Sequence, residues 1–349
     1  MFKTILVPLD GSSRAEAALP VARRIAQNTG ATLVLVQAVS FLSEYWPTMA
    51  TTAPSLTQAV VEADLEQATA YLNTIATAPE MAGVVVKTAA HFGPPAPTIL
   101  TVASSYNCDL IVMCSHGSTG MIHWLMGSVA EKVARSASLP VLVVRAEGLH
   151  LESGTIGLAQ PLRMLIPLDG SEGAKAALEP GAELLLAMAA PGQRCALHLA
   201  RVASQSVGEH QTPEHSLQES NEVAQAKGSL QQTTLQIREG ILAPYIREHK
   251  LPVTWSLLRD TDIAGALLHI AEQGEDMEGA GTFGGCDLIA ISTHGRSGLQ
   301  RWVLGSIAER MLHATKRPIL IVHPPKSTGE EKRVPEGENL ALHPLVHLY

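Results

Sequence analysis

Residues 292–306 read STHGRSGLQRWVLGS, and residues 114–128 read CSHGSTGMIHWLMGS. Each stretch follows an apolar run of strand length, residues 287–291 and 109–113, and each leads into a helical pattern. A glycine-rich loop between a strand and a helix is where a doubly wound α/β sheet places its ligand. The N–H groups of such a loop, with the helix start behind them, attract a phosphate. The two stretches therefore predict two α/β units, each with an anion site.

A second pair of motifs shows that the two units are copies. Gly117 and Gly295 lie 178 residues apart, and Gly127 and Gly305 keep the same separation. Upstream, residues 5–12 read ILVPLDGS and residues 165–171 read LIPLDGS, at an offset of 159. The chain is therefore a duplication whose second copy carries about 19 extra residues between its two motifs.

The duplication sets the predicted domain organisation. We expect a first domain over residues 1–146, a linker over 147–161, a second domain over 162–324 and a tail over 325–349. Strands alternate with helices in each copy, which predicts an α/β fold of two doubly wound, Rossmann-like units, each with a mainly parallel five-stranded sheet. The fifth strands, residues 141–144 and 319–322, are apolar edges that should not stay bare, so the two units are expected to form a pseudo-dimer through them.

Composition excludes several classes of protein. Hydrophobic residues make up 46% of the 349 residues, and the formal charge of −8 argues against general nucleic-acid binding. No apolar run approaches the ~18 residues of a membrane span, and no signal peptide is expected. Four cysteines without a CxxC pair indicate no disulfide framework. These observations predict a cytoplasmic protein with neither nucleic acid nor membrane as a partner.

Local patterns predict the elements of the first copy. Ser13 with Glu16 fits a capping box for a first helix that begins near Arg14, runs to about Thr29 and stops at Gly30, and Pro20 is expected to kink it or to shorten its regular part. The remaining predictions are strands over residues 4–9, 32–39, 84–87 and 141–144, and helices over 56–76, 98–106 and 129–136.

The second copy has two insertions. Residues 204–227 are rich in Gln, Glu and Ser and precede a long helix that is expected to end near residue 250. Residues 273–285 are acidic and glycine-rich, which predicts a surface loop.

The paired motifs resemble those of the universal stress protein family in its tandem form. Nucleotide-binding members of that family carry G-x2-G-x9-G-[S/T], and both copies here retain the last two glycines and the hydroxyl. Cys114 and Ser292 stand in place of the first glycine. The resemblance covers nearly everything from residue 3 to residue 324.

The resemblance implies an adenine-nucleotide site in each copy, with ATP or another adenine nucleotide as the ligand and Mg²⁺ as a further candidate. Asp10 and Asp169 would contact the ribose side or a phosphate-bound Mg²⁺, and the backbone near Ala38 and Arg201 would meet the adenine. The implied nucleotide-binding residues of the first copy are Pro8, Leu9, Asp10, Ala38, Met113, Cys114, His116, Gly117, Gly120, Gly127, Ser128 and Val129. Those of the second copy are Pro167, Leu168, Asp169, Arg201, Ile291, Ser292, His294, Gly295, Arg296, Gly298, Gly305, Ser306 and Ile307.

The two glycine loops differ in charge. Arg296 and Arg301 in the second loop replace Ser118 and His123 of the first. Because arginine pairs bidentately with phosphate, we expect the second site to hold a triphosphate more tightly.

Structural interpretations stand beside the functional ones. Asp10 and Asp169 could simply close Asx turns. No acidic residue or nucleophile lies at a spacing from His116 or His294 that is typical of a catalytic pair, so both histidines are expected to be structural. Cys114 is interpreted as a small residue that fills a glycine position, with a redox role as the alternative. No set of residues has metal-ligand spacing.

The leading hypothesis is a sensor or regulator of the stress response that binds nucleotide. No catalytic residue can be assigned, although slow ATP hydrolysis stays open, as does a homodimer. The alternatives are an interaction scaffold that needs no nucleotide and an enzyme of the α/β nucleotide-binding fold, such as an ATP-pyrophosphate-cleaving ligase or a relative of the electron-transfer flavoproteins.

Overall fold

A computed structural model describes residues 1–40, 54–115, 126–145, 161–204, 213–277, 281–293 and 304–324. We call residues 1–145 the first half and residues 161–324 the second half. The predicted linker, apart from Pro161, and the predicted tail lie outside the described residues. The strands are β1 (Thr4–Leu9), β2 (Thr32–Val39), β3 (Val86–Phe92), β4 (Leu110–Cys114), β5 (Val141–Val144), β6 (Leu162–Pro167), β7 (Cys195–Ser204), β8 (Val253–Asp260), β9 (Glu275–Met277), β10 (Gly281–Phe283), β11 (Leu288–Ser292) and β12 (Ile319–Val322).

Ten of these strands form one continuous sheet in the order β3-β2-β1-β4-β5-β12-β11-β6-β7-β8. Within each half the neighbouring strands run parallel, in the order 3-2-1-4-5 counted from the first strand of that half. This confirms the predicted α/β fold. The two five-stranded sheets meet where β5 pairs antiparallel with β12, and Leu142 lies opposite Leu320.

Helices cover both faces of the sheet. They are α1 (Ser13–Glu16), α2 (Leu19–Thr29), α3 (Pro54–Ala76), α4 (Pro95–Ser105), α5 (Ser128–Ser136), α6 (Glu172–Lys175), α7 (Leu178–Met188), α8 (Pro213–Glu239), α9 (Pro244–Glu248), α10 (Ile263–Gln273) and α11 (Ser306–Ala314). Successive residues of a strand point to opposite faces, so Ile5 packs in the core under α2 and α3 while Leu6 packs in the core under α4 and α5. A sheet buried on both faces explains the continuous apolar runs of its strands.

The first helix agrees with its prediction in part: its regular part is shortened at Pro20 and stops at Gly30, but its cap differs. It is divided into α1 and α2, and Pro20 lies in the first turn of α2, where its missing N–H leaves no helical hydrogen bond unmade. The helix cap is Ser12, whose Oγ accepts a hydrogen bond from the N–H of Ala15, so the predicted capping box of Ser13 and Glu16 is wrong. Gly30 ends α2 with φ at 73°, as the sequence predicts.

Other boundaries also move. The third strand begins at Val86 and continues to Phe92, beyond the predicted residues 84–87, because it pairs with β2 along seven residues. Helix α8 already begins within the first insertion, at Pro213, and ends at Glu239, and α9 follows it as a separate helix. The second insertion contains an antiparallel pair, β9 and β10, where a loop was expected.

Side chains on both faces of the sheet tie the halves together. Asn28 Nδ2 donates to the carbonyl oxygens of Ala187 and Ala189 at 2.8 and 2.9 Å. On the opposite face, Arg135 Nη2 pairs with Glu309 at 2.6 Å. Arg145 donates to the carbonyl oxygens of Leu312 and Thr315 at the end of α11. The β5–β12 junction is therefore held by main-chain pairing and by contacts on both faces.

Among the described residues, we find no helix that combines the length and the apolar character needed to cross a membrane.

Candidate functional site

The first strand of each half ends in a tight Asp-Gly-Ser turn. Asp10 Oδ1 accepts hydrogen bonds from the N–H and the Oγ of Ser12, at 3.0 and 2.6 Å. Asp169 makes the same two bonds to Ser171, at 2.8 and 2.6 Å. Gly11 and Gly170, the middle residues of the two turns, have φ values of 82° and 90°, which favour glycine. Each aspartate therefore closes an Asx turn, as the structural interpretation expected, and each also lines a cavity at the carboxyl end of the sheet.

The cavity of the first half has a volume of about 640 Å³. It lies where β1, β2 and β4 end, against the start of α5, which is the position that a doubly wound sheet offers a ligand. The structure brings together around it every predicted residue of the first half that lies among the described residues: Pro8, Leu9, Asp10, Ala38, Met113, Cys114, Gly127, Ser128 and Val129.

The cavity of the second half occupies the corresponding place and has a volume of about 520 Å³. Its lining likewise includes every predicted residue of that half within the described part of the chain: Pro167, Leu168, Asp169, Arg201, Ile291, Ser292, Gly305, Ser306 and Ile307. Volumes of this order are typical of sites for small ligands.

The glycine loops themselves fall on residues that the structure does not describe. His116, Gly117, Gly120, His294, Gly295, Arg296 and Gly298 all lie outside the described residues. The bases of the loops are described, and they are closed in the same way in both halves. The N–H of Gly127 donates to the carbonyl of Ser115 at 2.8 Å, and the N–H of Gly305 donates to that of Thr293 at 2.9 Å. In both halves, therefore, the residue after the strand is hydrogen-bonded to the glycine that begins the helix.

The residues that replace the first glycine of the motif belong to the sheet. Cys114 is 6% exposed and pairs with Val144, and Ser292 is 7% exposed and pairs with Val322. Both are the last residues of their strands, and both line the cavity. Because Cys114 is buried, the structural interpretation of its side chain is favoured over an exposed redox thiol.

The helix that follows each loop begins at the cavity. Gly127 and Gly305 are the N-cap residues of α5 and α11, so Ser128 and Ser306 are the first helical residues. Neither helix has a side-chain cap hydrogen bond. The N–H groups of a first turn, together with the helix dipole, favour an anion, so an anionic group is the natural complement of this wall.

A further wall of each cavity was missed by the sequence analysis. It comes from α3 in the first half, through Asp64, Gln67, Ala68 and Tyr71, and from α8 in the second half, through Glu222, Gln225 and Ala226. Counted from Asp64, the others in the first set lie three, four and seven positions further on, and counted from Glu222, those in the second lie three and four further on, so each set shares one face of its helix. That spacing is visible in the sequence, but only the fold shows which face meets the cavity.

The strand register shows that Ala38 and Arg201, near which the adenine is expected to lie, are not corresponding positions. Pro8 pairs with Val36, and Pro167 pairs with Ala200. The residue that corresponds to Ala38 is therefore Val202, and Arg201 takes the place of Gln37. All four line their cavities.

Tyr71 links the first cavity to the Asp-Gly turn. Its hydroxyl donates to Glu16 Oε1 at 2.9 Å. Burial, and then the Glu16 carboxylate, raise the pKa of Tyr71 above its ordinary value, so the phenol stays protonated and remains a donor.

Outside the cavities, the described residues include one group with metal-type ligands. Ligand atoms of Glu131, Glu309 and His313 lie within 4.8 Å of one another at the junction of the halves. Arg135 Nη2 already pairs with both carboxylates, at 2.9 and 2.6 Å. The group is therefore an ion-pair cluster between α5 and α11.

Comparison with known families identifies the chain. The model of the universal stress protein family matches residues 1–145 and 284–323, which is more than half of the sequence. The chain belongs to the universal stress protein family. This confirms the resemblance that the repeated motifs indicated.

Individual relatives support both the single unit and the duplicated form. A universal stress protein of Methanocaldococcus jannaschii is 32% identical over 145 residues, which cover 42% of this chain and 83% of the relative. A universal stress protein of Mycobacterium tuberculosis is 24% identical over 327 residues, which cover 91% of this chain and 96% of the relative. Nearly the whole length of this chain is thus shared with another member of the family.

Solved structures agree on the fold. A universal stress protein from Archaeoglobus fulgidus has a TM-score of 0.55 at 17% identity, over 92% of this chain and 98% of that one. A functionally unknown protein from Pseudomonas aeruginosa has a TM-score of 0.54 at 17% identity, over 93% of both chains. At this identity the likeness concerns the fold alone.

Proposed function

We propose that this universal stress protein binds an adenine nucleotide, ATP first among them, in one or both cavities, and that occupancy of the cavities is its regulatory signal. One observation carries the proposal. In each half, an Asp-Gly turn and the first residues of a nine-residue helix that has no side-chain cap line the same cavity. The apolar strand ends offer a surface for a base, and the helix start offers N–H groups for a phosphate.

Mg²⁺ fits the donor chemistry of both cavities. The carboxylates of Asp10 and Asp64 line the first cavity, and those of Asp169 and Glu222 line the second. Mg²⁺ beside a nucleotide is commonly held by one or two carboxylates together with the phosphates of the nucleotide. It would neutralise phosphate charge, while the helix start and the Asp-Gly turn position the nucleotide.

The proposal is tested on the full chain in two steps. Protein purified without added nucleotide is denatured and the released small molecules are chromatographed. The protein is then titrated calorimetrically with ATP, with and without Mg²⁺. Micromolar affinity corresponds to about 8 kcal/mol, enough for some ligand to survive purification. We expect one or two equivalents of adenine nucleotide per chain.

Two variants close the cavities one at a time. Ala38→Phe fills the first cavity and Val202→Phe fills the second, since both residues are half-buried in the lining. Ala82→Phe and Val85→Phe are matched controls, because they are exposed residues before β3, at the opposite end of the sheet. The variant of a cavity that binds nucleotide should lose one equivalent, and neither control should lose any. If the native chain releases no nucleotide and gives no heat with ATP, the proposal is overturned in favour of the interaction scaffold.

Cytoplasmic location and a homodimer stay predictions.

A further inference from the structure

One position on the second strand of each half distinguishes the two cavities. Gln37 on β2 and Arg201 on β7 occupy the same place, one residue beyond the pairs Pro8–Val36 and Pro167–Ala200. Both side chains reach toward the glycine of the Asp-Gly turn. A Cβ atom built on Gly11 would lie 3.9 Å from Gln37 Nε2, whereas one on Gly170 would lie 2.7 Å from Arg201 Nη1.

The helix next to each cavity also differs where it faces position 37 or 201. Gln67 and Ala68 on α3 correspond to Gln225 and Ala226 on α8, since each pair lines its cavity at the same offset of 158 residues. At that offset Tyr71 corresponds to Ser229, which lines a small recess together with Arg201 and Gly170. A serine in place of tyrosine leaves room for the guanidinium, and Arg201 is 7% exposed.

The exchange changes the charge of the lining. Among the described lining residues, the first cavity has two acidic side chains, Asp10 and Asp64, and no basic one. The second cavity has Asp169 and Glu222 together with the cation of Arg201. Behind the turn, Lys175 replaces Glu16, although Lys175 also pairs with the exposed Glu172 at 2.6 Å. The difference therefore rests chiefly on Arg201.

We propose that Arg201 is a specificity-determining residue that makes the second cavity select the more highly charged adenine nucleotides, while Gln37 leaves the first cavity selective for less charged ones. This inference rests on the proposed function and names the ligand class of each site. A buried cation acts through a medium of low dielectric, so its attraction for phosphate is screened less than at a surface. Arginine is also the side chain whose geometry suits phosphate best.

The experiment compares ATP with adenosine, the uncharged member of the series, in buffer with EDTA. The Val202→Phe chain reports the first cavity alone, and the Ala38→Phe chain reports the second. The quantity measured by calorimetry is the Kd for adenosine divided by the Kd for ATP. We expect this ratio to be at least tenfold larger in the second cavity. Arg201→Gln in the Ala38→Phe chain should lower the ratio about tenfold. In the Val202→Phe chain, Gln37→Arg combined with Tyr71→Ser, which makes room for the guanidinium, should raise the ratio by a similar factor.

Two further variants separate charge from structure. Arg201→Lys keeps the cation and should keep most of the ratio. Arg194→Gln removes the same charge from an exposed position before β7, at the amino end of the strand, and should leave the ratio unchanged. Because a structural defect would weaken ATP and adenosine alike, a changed ratio is specific to charge selection.

The outcomes separate the inference from the function on which it rests. If both ligands bind and neither exchange at positions 37 and 201 alters the ratio, the inference is overturned and nucleotide binding stands. If Arg201→Gln fails to fold, Gln37→Arg with Tyr71→Ser in the other half still decides the matter. If the unmodified chain binds neither ligand, the proposed function is overturned and the inference with it.

Discussion

The first and second halves have the same main chain at their sites and different side chains around them. Both have the strand order 3-2-1-4-5, the Asp-Gly-Ser turn with nearly identical hydrogen bonds, and a helix that begins at a glycine N-cap. They differ beside the Asp-Gly turn. Tyr71 and Gln37 line the first cavity, whereas in the second half Arg201 lines the cavity and Ser229 lines a small recess next to Arg201. The Asp-Gly turn and the helix start, which would position a nucleotide, are repeated in both halves, whereas the charge at positions 37 and 201 is not.

The junction of the halves offers the test with the largest expected effect. Leu142 and Leu320 are fully buried and lie opposite each other in β5 and β12. Leu142→Ala and Leu320→Ala should each lower the free energy of unfolding by about 3 kcal/mol, because each leaves a cavity at the junction. Urea denaturation of the full chain measures both. Costs that differ by more than about 1 kcal/mol would show that the two halves do not contribute equally here.

The second prediction concerns a residue that the halves do not share. His198 on β7 is buried, with its ring nitrogens 2.8 and 3.0 Å from the hydroxyls of Thr254 and Ser256, and it corresponds to Val34 on β2. Burial, and then the charge of Arg163, lower the pKa of His198 from 6.5 to about 4. The unfolded chain therefore binds a proton between these pH values that the folded chain does not.

Stability should accordingly fall as the pH falls from about 6.5 to about 4, by up to about 3 kcal/mol from this residue, and should be unaffected by it above pH 6.5. His198→Val copies the first half and should flatten that part of the profile. Thermal melts between pH 7.5 and 4 are the measurement. An equally steep acid loss in His198→Val would assign it to other groups.

The turn glycines predict a smaller and unequal effect. Gly11→Ala should cost about 1 kcal/mol, because φ at 82° strains any residue with a Cβ atom. Gly170→Ala should cost about 1 kcal/mol more, because its Cβ would lie 2.7 Å from Arg201 Nη1 and the guanidinium must move. Chemical denaturation compares the two variants. Adding Arg201→Gln to Gly170→Ala should remove this additional cost of about 1 kcal/mol. If the additional cost persists, it does not come from contact with Arg201.

The caps of the first helices should give the smallest effect and an equal one. Ser12 Oγ and Ser171 Oγ accept from the N–H groups of Ala15 and Ala174, at 3.2 and 3.1 Å. Ser12→Ala and Ser171→Ala should each cost about 1 kcal/mol. Replacement by threonine, which keeps the hydroxyl, should restore most of it. Unequal losses in matched thermal melts would mean that the turns differ in ways that their hydrogen bonds do not reveal.

Sequence analysis anticipated elements more accurately than their ends. Strands β1, β2 and β5 match their predictions because apolar β-branched runs bounded by turn residues identify buried strands. The third strand was placed too early because its outer residues alternate and lie at the sheet edge, where pairing with β2 sets the length. The wrong cap had a different origin. Only Ser13 matches the S-x-x-E pattern, through Glu16, but the Asx turn at Asp10 positions Ser12 as the cap.

Period, spacing and motif were enough to predict the duplication, the α/β class, the family and the residues at the carboxyl ends of the strands. The folded chain was needed to show that the two sheets form one, that α3 and α8 line the cavities, and that Arg201 corresponds to Gln37. The physical reason is that these features depend on strand register and on which helix face meets the sheet. Both are set by contacts between residues far apart in the chain, which no local pattern encodes.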